Sequence, residues 1–549
     1  MLEKFCVGLV RILLGGILFF LTLLSAVVTC RVYGGSEIVQ YGRDSLFLHL
    51  FFGAGVIGLT VFYRRRKERK CRKNQWLLLA AAAYLVWILL VPSWGGSDSH
   101  QCMASAQGLL QGDFSAWEPV AYSYGTAEGP LGYAYTYPSQ NGLILYMAVL
   151  AFFFGDAAYV VFQILNIGFF ILGIVSLQRM MVWGNERCSL LLWMACCLPF
   201  SFYILFVYGT MPGFGLSCLA MERLVRYVEE GRGRDFWIGA AAVAAAVILK
   251  SNYEIVLVAL FLYLASSGVF RRKARLLVAA VLLITVYVIG NRGIQTGISS
   301  VTGRTVSDGA PMIAWVQMGL EESKRGPGWY NGYQVKLFQK ADGDADLAAA
   351  WAQADLRKTI SDMAEEPAKA ADFFVRKIES IWAEPTFQSL WIQEVGNTSW
   401  AEGSPPWELF KEEGGLNRLY VFAANLVQTF VYAMACVWVI AGMSAKGSRS
   451  KHVLMNRTWE KRIEAEKAVK AVKKQGMETV WERQERGETD RWGMLLPGIV
   501  FIGGFLFHLV WEAKGQYSVV YFMLLLPYAY LGMERVADVF LDVTGAGKE

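Results

Sequence analysis

Apolar runs long enough to cross a bilayer recur along almost the whole chain, and they constrain its fold more than any other feature. The first run covers residues 5–30 and the last ends at residue 533. A helix needs about 20 mainly apolar residues, within a range of roughly 17 to 25, to cross the hydrocarbon core of a membrane. With 55% hydrophobic residues, the chain is too apolar for one soluble core. The sequence therefore predicts an all-α polytopic membrane protein.

About thirteen apolar segments meet or approach the length of a span. They lie at residues 5–30, 46–63, 75–91, 141–154, 159–180, 188–207, 213–227, 237–250, 255–270, 276–290, 419–443, 494–511 and 518–533. The segment 141–154 is short, and we interpret it as a half-span or interfacial helix, which leaves about twelve crossings. The first segment is too long for the apolar part of a signal peptide, so we expect a retained span.

Clusters of Lys and Arg orient these spans, because such clusters collect on the cytoplasmic side. The basic cluster at 64–70, the group 271–273 and the charged stretch 446–491 are expected inside, together with both chain termini. The regions 93–140 and 291–418 are then external. This bias explains the net charge of +6 without a nucleic-acid partner. We expect a multi-pass protein of the plasma membrane.

The orientation divides the chain into regions. They are two additional N-terminal spans with a basic loop (1–74), a core of spans (75–290) with its first external loop (93–140), an external helical domain (291–418), a span (419–443), a charged cytoplasmic helix (444–492), two C-terminal spans (493–533) and a cytoplasmic tail (534–549). Within the external domain, 344–363 and 367–382 have the pattern of short amphipathic helices. Residues 459–483 have charge pairs at helical spacing, which predicts a solvated helix.

A Gly-x-Gly-x-x-Gly sequence at residues 53–58 matches the dinucleotide-binding fingerprint. That fingerprint works only between a strand and the first turn of a helix. Here it lies in the middle of an apolar span, so we interpret the glycines as a surface on which membrane helices pack closely.

Polar residues gather where the predicted spans leave the membrane on the outer side. The stretch 94–101, which contains Asp98 and His100, follows the third span, and Tyr137-Pro138 leads into the segment 141–154. A carboxylate at this place suits a general base for a substrate that is half in lipid and half in water. A solvated interfacial Asp without chemistry is the alternative.

Two further groups lie at the same predicted level. Lys250 closes the span 237–250, where it is either a ligand for an anion or a snorkelling lysine. Glu512, Lys514 and Tyr517 lie in the short loop between the last two spans. His508 precedes Glu512 by one helical turn and faces the same side, and we expect it to be a buried hydrogen-bonding residue.

These elements resemble the GT-C superfamily of membrane glycosyltransferases, especially the family 39 and protein O-mannosyltransferase relatives and the aminoarabinose lipid A transferases. Members have an Asp after a span, a Tyr-Pro element that re-enters the membrane, a basic residue near Ile248-Leu249-Lys250, and a loop similar to Glu512-Ala513-Lys514-Gly515-Gln516-Tyr517 before a final span with a proline, here Pro527. Arg is frequent in that family where Gln516 stands, and Gln carries no charge to hold a phosphate.

The resemblance implies a GT-C-like bundle and a specific chemistry. The donor would be a sugar on polyprenyl phosphate, the acceptor a hydroxyl group of an envelope polymer, lipid or protein, and the anomeric carbon would be inverted. Asp98 would be the base, and Lys250 and Lys514 would hold the phosphate. The orienting and substrate-binding residues would be Glu512, Tyr517, His100 and Tyr137. No cofactor is implied, because the lipid phosphate is already a leaving group.

Other interpretations stay open at this stage. A lipid-linked-glycan flippase or secondary transporter would place charges near the bilayer midplane, where this sequence has few. A non-catalytic protein of envelope assembly should tolerate the loss of Asp98. With four His residues and no His-x-x-x-His or Cys-x-x-Cys pattern, a divalent metal is not expected.

Aromatic residues with Gly and Asn occur at 311–320 and 326–333 in the external domain. Such residues suit stacking on the apolar face of a sugar ring. An aromatic belt at the membrane interface explains them equally well.

Overall fold

The computed structural model describes residues 2–33, 37–65, 73–91, 96–123, 129–181, 198–396, 400–444 and 492–543. Several predictions fall on other residues and lie outside the described part. They concern most of the basic cluster 64–70, residues 94 and 95 before Asp98, the first part of the apolar segment 188–207, and the charged stretch 446–491 with its predicted helix at 459–483.

The described residues are predominantly helical, which confirms the all-α polytopic class. The helices are α1 (Leu2–Val27), α2 (Leu46–Arg65), α3 (Lys73–Leu90), α4 (Ser97–Gln111), α5 (Tyr133–Thr136), α6 (Asn141–Phe154), α7 (Ala158–Met181), α8 (Leu198–Phe202), α9 (Thr210–Glu230), α10 (Gly233–Leu249), α11 (Glu254–Arg271), α12 (Ala274–Thr302), α13 (Met312–Gly319), α14 (Tyr333–Lys340), α15 (Ala345–Glu365), α16 (Pro367–Trp382), α17 (Ser389–Gly396), α18 (Pro405–Phe410), α19 (Gly415–Ser444), α20 (Leu496–Val510) and α21 (Gly515–Val543). Short 3-10 turns occur at Ser115–Trp117, Pro138–Gln140, Gly155–Ala157, Tyr203–Leu205, Ser251–Tyr253 and Gly493–Leu495.

Seven helical segments in the described part of the chain are long and apolar enough to cross a membrane. They are Leu2–Val27, Pro138–Met181, Ser251–Arg271, Ala274–Thr302, Gly415–Met443, Gly493–Val510 and Gly515–Leu541. An eighth is possible if Pro199–Leu205 and Thr210–Glu230, which meet at 115°, form one broken span. Leu46–Phe62 and Gln75–Leu90 are apolar but shorter. The chain is therefore a multi-pass membrane protein.

The segment from Pro138 to Met181 is a helical hairpin and not one long helix. The rings of Tyr146 and Phe162 have centroids only 5.3 Å apart, whereas sixteen residues of straight helix span about 24 Å. The chain therefore reverses at the turn Gly155–Ala157. Helix α6 is about 21 Å long, shorter than the hydrocarbon core of about 30 Å, and it packs mainly against α4 of the first loop. The interpretation of 141–154 as a half-span or interfacial helix stays a prediction.

The ends of the bundle have different chemistry. At one end, the side chain of Lys250 after α10 donates to the Thr210 hydroxyl at the start of α9, over 2.8 Å. At the other end, the last turns of α9 meet the start of α10, where Arg223 and Asp235 form an ion pair of 2.9 Å. Helix α10 separates these two places by about 25 Å. Arg223 thus lies at the end of the bundle opposite Lys250.

Residues 291–418, which the sequence predicts to be external and which we call the external domain, contain the expected helices. The residues expected at 344–363 and 367–382 form α15, whose N-cap Asp344 accepts from the Leu347 backbone N–H, and α16. Helix α12 differs from its prediction, since it continues past residue 290 to Thr302 and is about 43 Å long. The span therefore extends directly into the external domain.

An element that the sequence did not predict follows α1. Strands β1 (Val28–Tyr33) and β2 (Ile38–Arg43) pair antiparallel before α2. The backbone N–H of Val39 donates to Arg325 O over 2.9 Å, and the N–H of Cys30 donates to Ala383 O over 2.8 Å. This N-terminal hairpin is therefore attached to the external domain by main-chain hydrogen bonds.

The glycines at 53–58 lie within α2, which excludes the strand-turn-helix context of a dinucleotide site. A side chain added at Gly53 would meet Phe430 at 3.7 Å, but nothing lies within 4 Å of such an atom at Gly55 or Gly58. Only the first of the three glycines therefore packs against another helix among the described residues.

Candidate functional site

Asp98 lies in the first turn of α4 and faces an aromatic cluster from the same external loop. The hydroxyl of Tyr133 donates to Asp98 Oδ1 over 3.4 Å. The ring of Tyr137, the residue before Pro138, lies 5.3 Å from that of Tyr133 and 6.2 Å from that of Trp315 in the external domain. The Tyr-Pro element and Asp98 therefore lie close together in the structure.

Lys250 lies in the short connection between α10 and the next 3-10 turn, and it is not a snorkelling side chain, since it is only 8% exposed. Its ammonium group lies 4.9 Å from the ring centroid of Tyr208 and 5.8 Å from that of Tyr517. The amide of Gln140 donates to the hydroxyl of Tyr208 over 2.6 Å. Lys250 thus contacts Tyr208, which is hydrogen-bonded to Gln140 of the first loop, and Tyr517 of the last loop.

Two glycines allow the backbone segments to meet around Lys250. A Cβ atom at Gly142 would lie 2.2 Å from Ile248 O, and one at Gly209 would lie 2.3 Å from Leu249 O. Both contacts are with backbone, which cannot move aside as a side chain does. The starts of α6 and α9 therefore approach the end of α10 only because these residues lack a side chain.

The loop between α20 and α21 adds a buried acid and its partners. Glu512 is 4% exposed, and the hydroxyl of Tyr517 donates to its Oε2 over 3.2 Å. The ring of His508 stacks on Tyr517 at 5.6 Å with an interplanar angle of 17°. His508 is buried, as predicted, but neither of its ring nitrogens has a partner in hydrogen-bonding geometry among the described residues. Its stacking holds the tyrosine toward Glu512.

Sequence reasoning missed a second acid, which comes from the N-terminal hairpin. Glu37 is 2% exposed, and it forms ion pairs with Arg325 of the external domain and with Lys514, whose Nζ lies 3.5 Å from Oε1. The amide of Gln388 donates to the same oxygen over 3.1 Å. The hairpin between the two N-terminal spans, which the sequence analysis treats as additional to the core, therefore contributes Glu37 to the candidate site.

Burial and charge change the protonation of these groups. Burial lowers the pKa of Lys250 to about 7, a shift that Asp98 opposes and Lys514 increases. Burial also raises the pKa of Glu512 to about 7, where Lys514 opposes the shift and Glu37 increases it. Burial lowers the pKa of Lys514 too, but the carboxylates of Glu37, Glu512 and Asp98 outweigh it and hold the pKa above its usual value. Asp98 thus acts on both lysines, which places all four predicted charged residues within one electrostatic site.

The last loop is supported by a buried lysine that the sequence analysis did not single out. Lys377 of α16 is fully buried and donates to the carbonyl oxygens of Gly319, Leu509 (3.0 Å) and Trp511 (2.8 Å). Two of these carbonyls are in the last turn of α20 and its cap, where a cation also complements the helix dipole. Lys377 therefore fixes the end of α20, one residue before Glu512.

A second support is the buried turn at residues 384–388. Glu384 accepts from the backbone N–H groups of Thr386 and Gln388, over 3.0 and 2.5 Å. Phe387 and Gln388 both have positive φ, 51° and 57°, a conformation that residues with a side chain adopt rarely and only where their surroundings impose it. The Gln388 amide oxygen accepts from the Gln516 N–H over 3.1 Å. Through Gln388, this turn is hydrogen-bonded both to Glu37 and to the last loop, and it fixes their relative positions.

The aromatic residues of the external domain have different roles. Trp329 is fully buried and donates to the Ser380 hydroxyl over 2.8 Å, so it is a structural residue and unavailable to a sugar. Trp315 and Trp511 are partly exposed and stack with parallel rings 6.1 Å apart. Tyr330 lies near Arg325 and Lys514, at 5.1 and 6.0 Å. The partly exposed rings therefore flank the charged residues.

His100 is the one predicted site residue that lies apart. Two residues along a helix correspond to a rotation of about 200°, so His100 and Asp98 project from opposite faces of α4. The His100 ring is exposed and contacts Tyr159 of α7 at 6.3 Å. Within the described residues, no group of three or more His, Cys, Asp or Glu side chains is arranged to hold a metal ion.

A narrow cleft leads from Lys250 between the first turns of α11 and α21. It is lined by Lys250, Tyr253 and Val256 on one side and by Gln516, Tyr517 and Val520 on the other. Its free space of about 10 Å³ is about that of one water molecule. A larger group reaches Lys250 by this route only if the two helices separate.

The arrangement combines carboxylates that accept from tyrosine hydroxyls, the buried cations Lys250 and Lys514, and partly exposed aromatic rings. A carboxylate can accept the proton of a hydroxyl group, and cations in a water-poor site stabilise an anionic leaving group. No protein-family model, curated protein or solved structure matches the chain, so its function is inferred from this geometry together with the resemblance of its motifs.

Proposed function

We propose that the chain is a membrane glycosyltransferase of the GT-C type. It transfers a sugar from a polyprenyl-phosphate donor to a hydroxyl-bearing acceptor at the outer face of the plasma membrane. The observation that carries the proposal is the convergence of Asp98, Lys250, Glu512, Lys514 and Tyr517. They come from three separate parts of the sequence and meet at one end of the bundle.

The reaction is a single displacement. Asp98 accepts the proton of the acceptor hydroxyl while the hydroxyl oxygen forms a bond to the anomeric carbon of the sugar. The bond from that carbon to the phosphate oxygen breaks on the opposite face, and its electron pair stays with the phosphate, so the configuration is inverted. Lys250 and Lys514 stabilise the negative charge that develops there. Because the lipid phosphate is itself the leaving group, the reaction needs no cofactor.

The surroundings of these residues suit the two substrates. The narrow cleft beside Lys250 has apolar walls from Val256 and Val520, which the polyprenyl chain would contact once α11 and α21 separate. The partly exposed rings of Trp315 and Trp511 lie on the outer side, where the apolar face of a sugar can stack. Glu512 and Tyr517 supply hydrogen bonds between these two regions.

The proposal is tested with membranes that contain the parent chain or its Asp98→Asn form, supplied with labelled polyprenyl-phosphate sugars. Release of free polyprenyl phosphate by the parent but not by Asp98→Asn, at equal protein level, is the expected result. Asp113→Asn is the matched control, because Asp113 is an exposed residue of the same loop that only accepts from the Ser115 N–H. Equal release by Asp98→Asn and parent, or none from any form, would favour transport or a scaffold role instead.

A further inference from the structure

The turn of the N-terminal hairpin presents a carboxylate to Lys514, one of the two lysines assigned to the phosphate, and to Arg325. Glu37 has a φ of 54°, in the left-handed region that a residue with a side chain adopts only where its environment fixes it. One carboxylate oxygen pairs with Arg325, and the other accepts from Gln388 and lies 3.5 Å from Lys514. Both oxygens are therefore engaged by groups of the site.

Arg325 and Lys514 form a pair of cations suited to an anion larger than one carboxylate. They flank the ring of Tyr330 at 5.1 and 6.0 Å. A planar guanidinium beside an ammonium group is a combination that recognises phosphate as well as carboxylate. Glu37 thus occupies donors that a phosphate would also use.

The charges of the site are balanced only when Glu37 is counted. Asp98, Glu37 and Glu512 oppose Lys250, Lys514 and Arg325. A phosphodiester donor adds one negative charge, whereas the phosphate monoester that leaves carries about −1.5 to −2 near neutral pH. A fixed carboxylate therefore repels the product more strongly than the donor.

We infer that Glu37 is a specificity-determining residue that weakens the hold of Lys514 and Arg325 on the lipid phosphate and so promotes release of the product. The inference rests on the proposed function. The main-chain hydrogen bond from Val39 to Arg325 O keeps the hairpin and the arginine together, so Glu37 remains beside the cations when a phosphate is bound. Two charges about 7 Å apart in a protein site interact strongly enough to change affinity about 10- to 50-fold.

The test measures binding of farnesyl phosphate, as the product, and farnesyl methyl phosphate, as the donor-like diester, to the full chain in detergent. Glu37→Gln should lower the Kd of the monoester about 10- to 50-fold and that of the diester less. Glu37→Asp should stay near the parent. Glu118→Gln is the matched control, since Glu118 also pairs with an arginine, Arg304, but on the exposed surface.

A second measurement tests the contact without any lipid. A carbodiimide that joins carboxylates to amines without a spacer should link Glu37 to Lys514 in the parent, and peptide mass spectrometry detects the link. If Glu37→Gln does not fold, Arg325→Gln replaces it as the variant that changes the same contact. Without Arg325, the carboxylate of Glu37 faces Lys514 alone and neutralises it. Binding of the monoester should then weaken at least about tenfold.

The outcomes separate the two proposals. If the parent binds both lipids but Glu37→Gln does not tighten the monoester, or if no cross-link forms, the role of Glu37 is wrong while the transferase proposal stands. If the parent binds neither lipid although the cross-link forms, the transferase proposal fails and the role of Glu37 fails with it.

Discussion

Replacing Lys377 by methionine should destabilise the external domain and the last loop together. The side chains have similar length, so the change removes the ammonium group without leaving a large cavity. The carbonyl oxygens of Gly319, Leu509 and Trp511 would each lose a donor in a buried place. A buried polar group without a partner costs about 1–3 kcal/mol. With three such groups and partial relaxation around them, we expect a loss of about 3–5 kcal/mol.

The assay is thermal unfolding of the detergent-solubilised chain, followed by tryptophan fluorescence. One kcal/mol corresponds to about 2–4 °C for a folding unit of 150–250 residues, so the apparent melting temperature should fall by at least about 6 °C. Lys369→Met is the matched control: Lys369 is on the same helix, but its side chain is 80% exposed and pairs only with Glu366. Its melting temperature should equal that of the parent.

The result that would refute the reasoning is a Lys377→Met chain that melts with the parent. Lys377 would then donate no hydrogen bonds of consequence, and the position of Glu512 would depend on other contacts. If the reasoning is right, Lys377→Met should also lower kcat for sugar transfer, because the end of α20 carries Glu512.

Two further predictions concern the charges and the packing of the site. The KM for the anionic donor should rise about tenfold or more between pH 6 and pH 8. Over this range Lys250, with a pKa of about 7, loses its positive charge, and Glu512, with a pKa of about 7, gains a negative one. Initial rates at several pH values measure this KM, and a value that stays constant or falls would contradict the prediction. Gly142→Ala should destabilise the chain by about 1–3 kcal/mol, because its new Cβ meets Ile248 O at 2.2 Å. The melting temperature should fall in this variant but not in Gly168→Ala, where nothing lies within 4 Å.

The sequence was sufficient to predict an all-α polytopic membrane protein, because that class follows from local patterns. Its count of about twelve crossings is larger than the seven or eight candidate spans among the described residues. Apolar length predicts helices, and polar residues at the ends of spans on one side must lie at one surface. That reasoning brought Asp98, Lys250 and Glu512 together across more than 400 residues. It could not place His100, because spacing alone does not show which face of α4 is turned toward the spans.

The residues that were missed have partners that no local pattern indicates. Glu37 stands in an ordinary polar turn between two apolar runs, and its partner Arg325 is 288 residues away. Lys377 did leave a signal, since it interrupts the buried side of the amphipathic helix α16 between Phe373 and Ile381. A lysine in such a position indicates buried acceptors, but only the structure identifies them as the end of α20. The sequence also does not show which aromatic residues of 311–320 and 326–333 are exposed and which are buried.

The contact between Glu37 and Lys514 has a consequence for the biogenesis of the protein. The two residues are 477 positions apart, and at about 5–20 residues per second the ribosome needs roughly 24–95 s between them. Helix α1 meanwhile lacks its final neighbours, because it packs against α19 and α20. Until the last two spans are inserted, Glu37 has Arg325 but lacks Lys514, and the apolar face of α1 lacks α20. Membrane-embedded chaperones and proteases therefore have about a minute to recognise an unfinished chain, and a premature stop before α20 leaves that signal in place permanently.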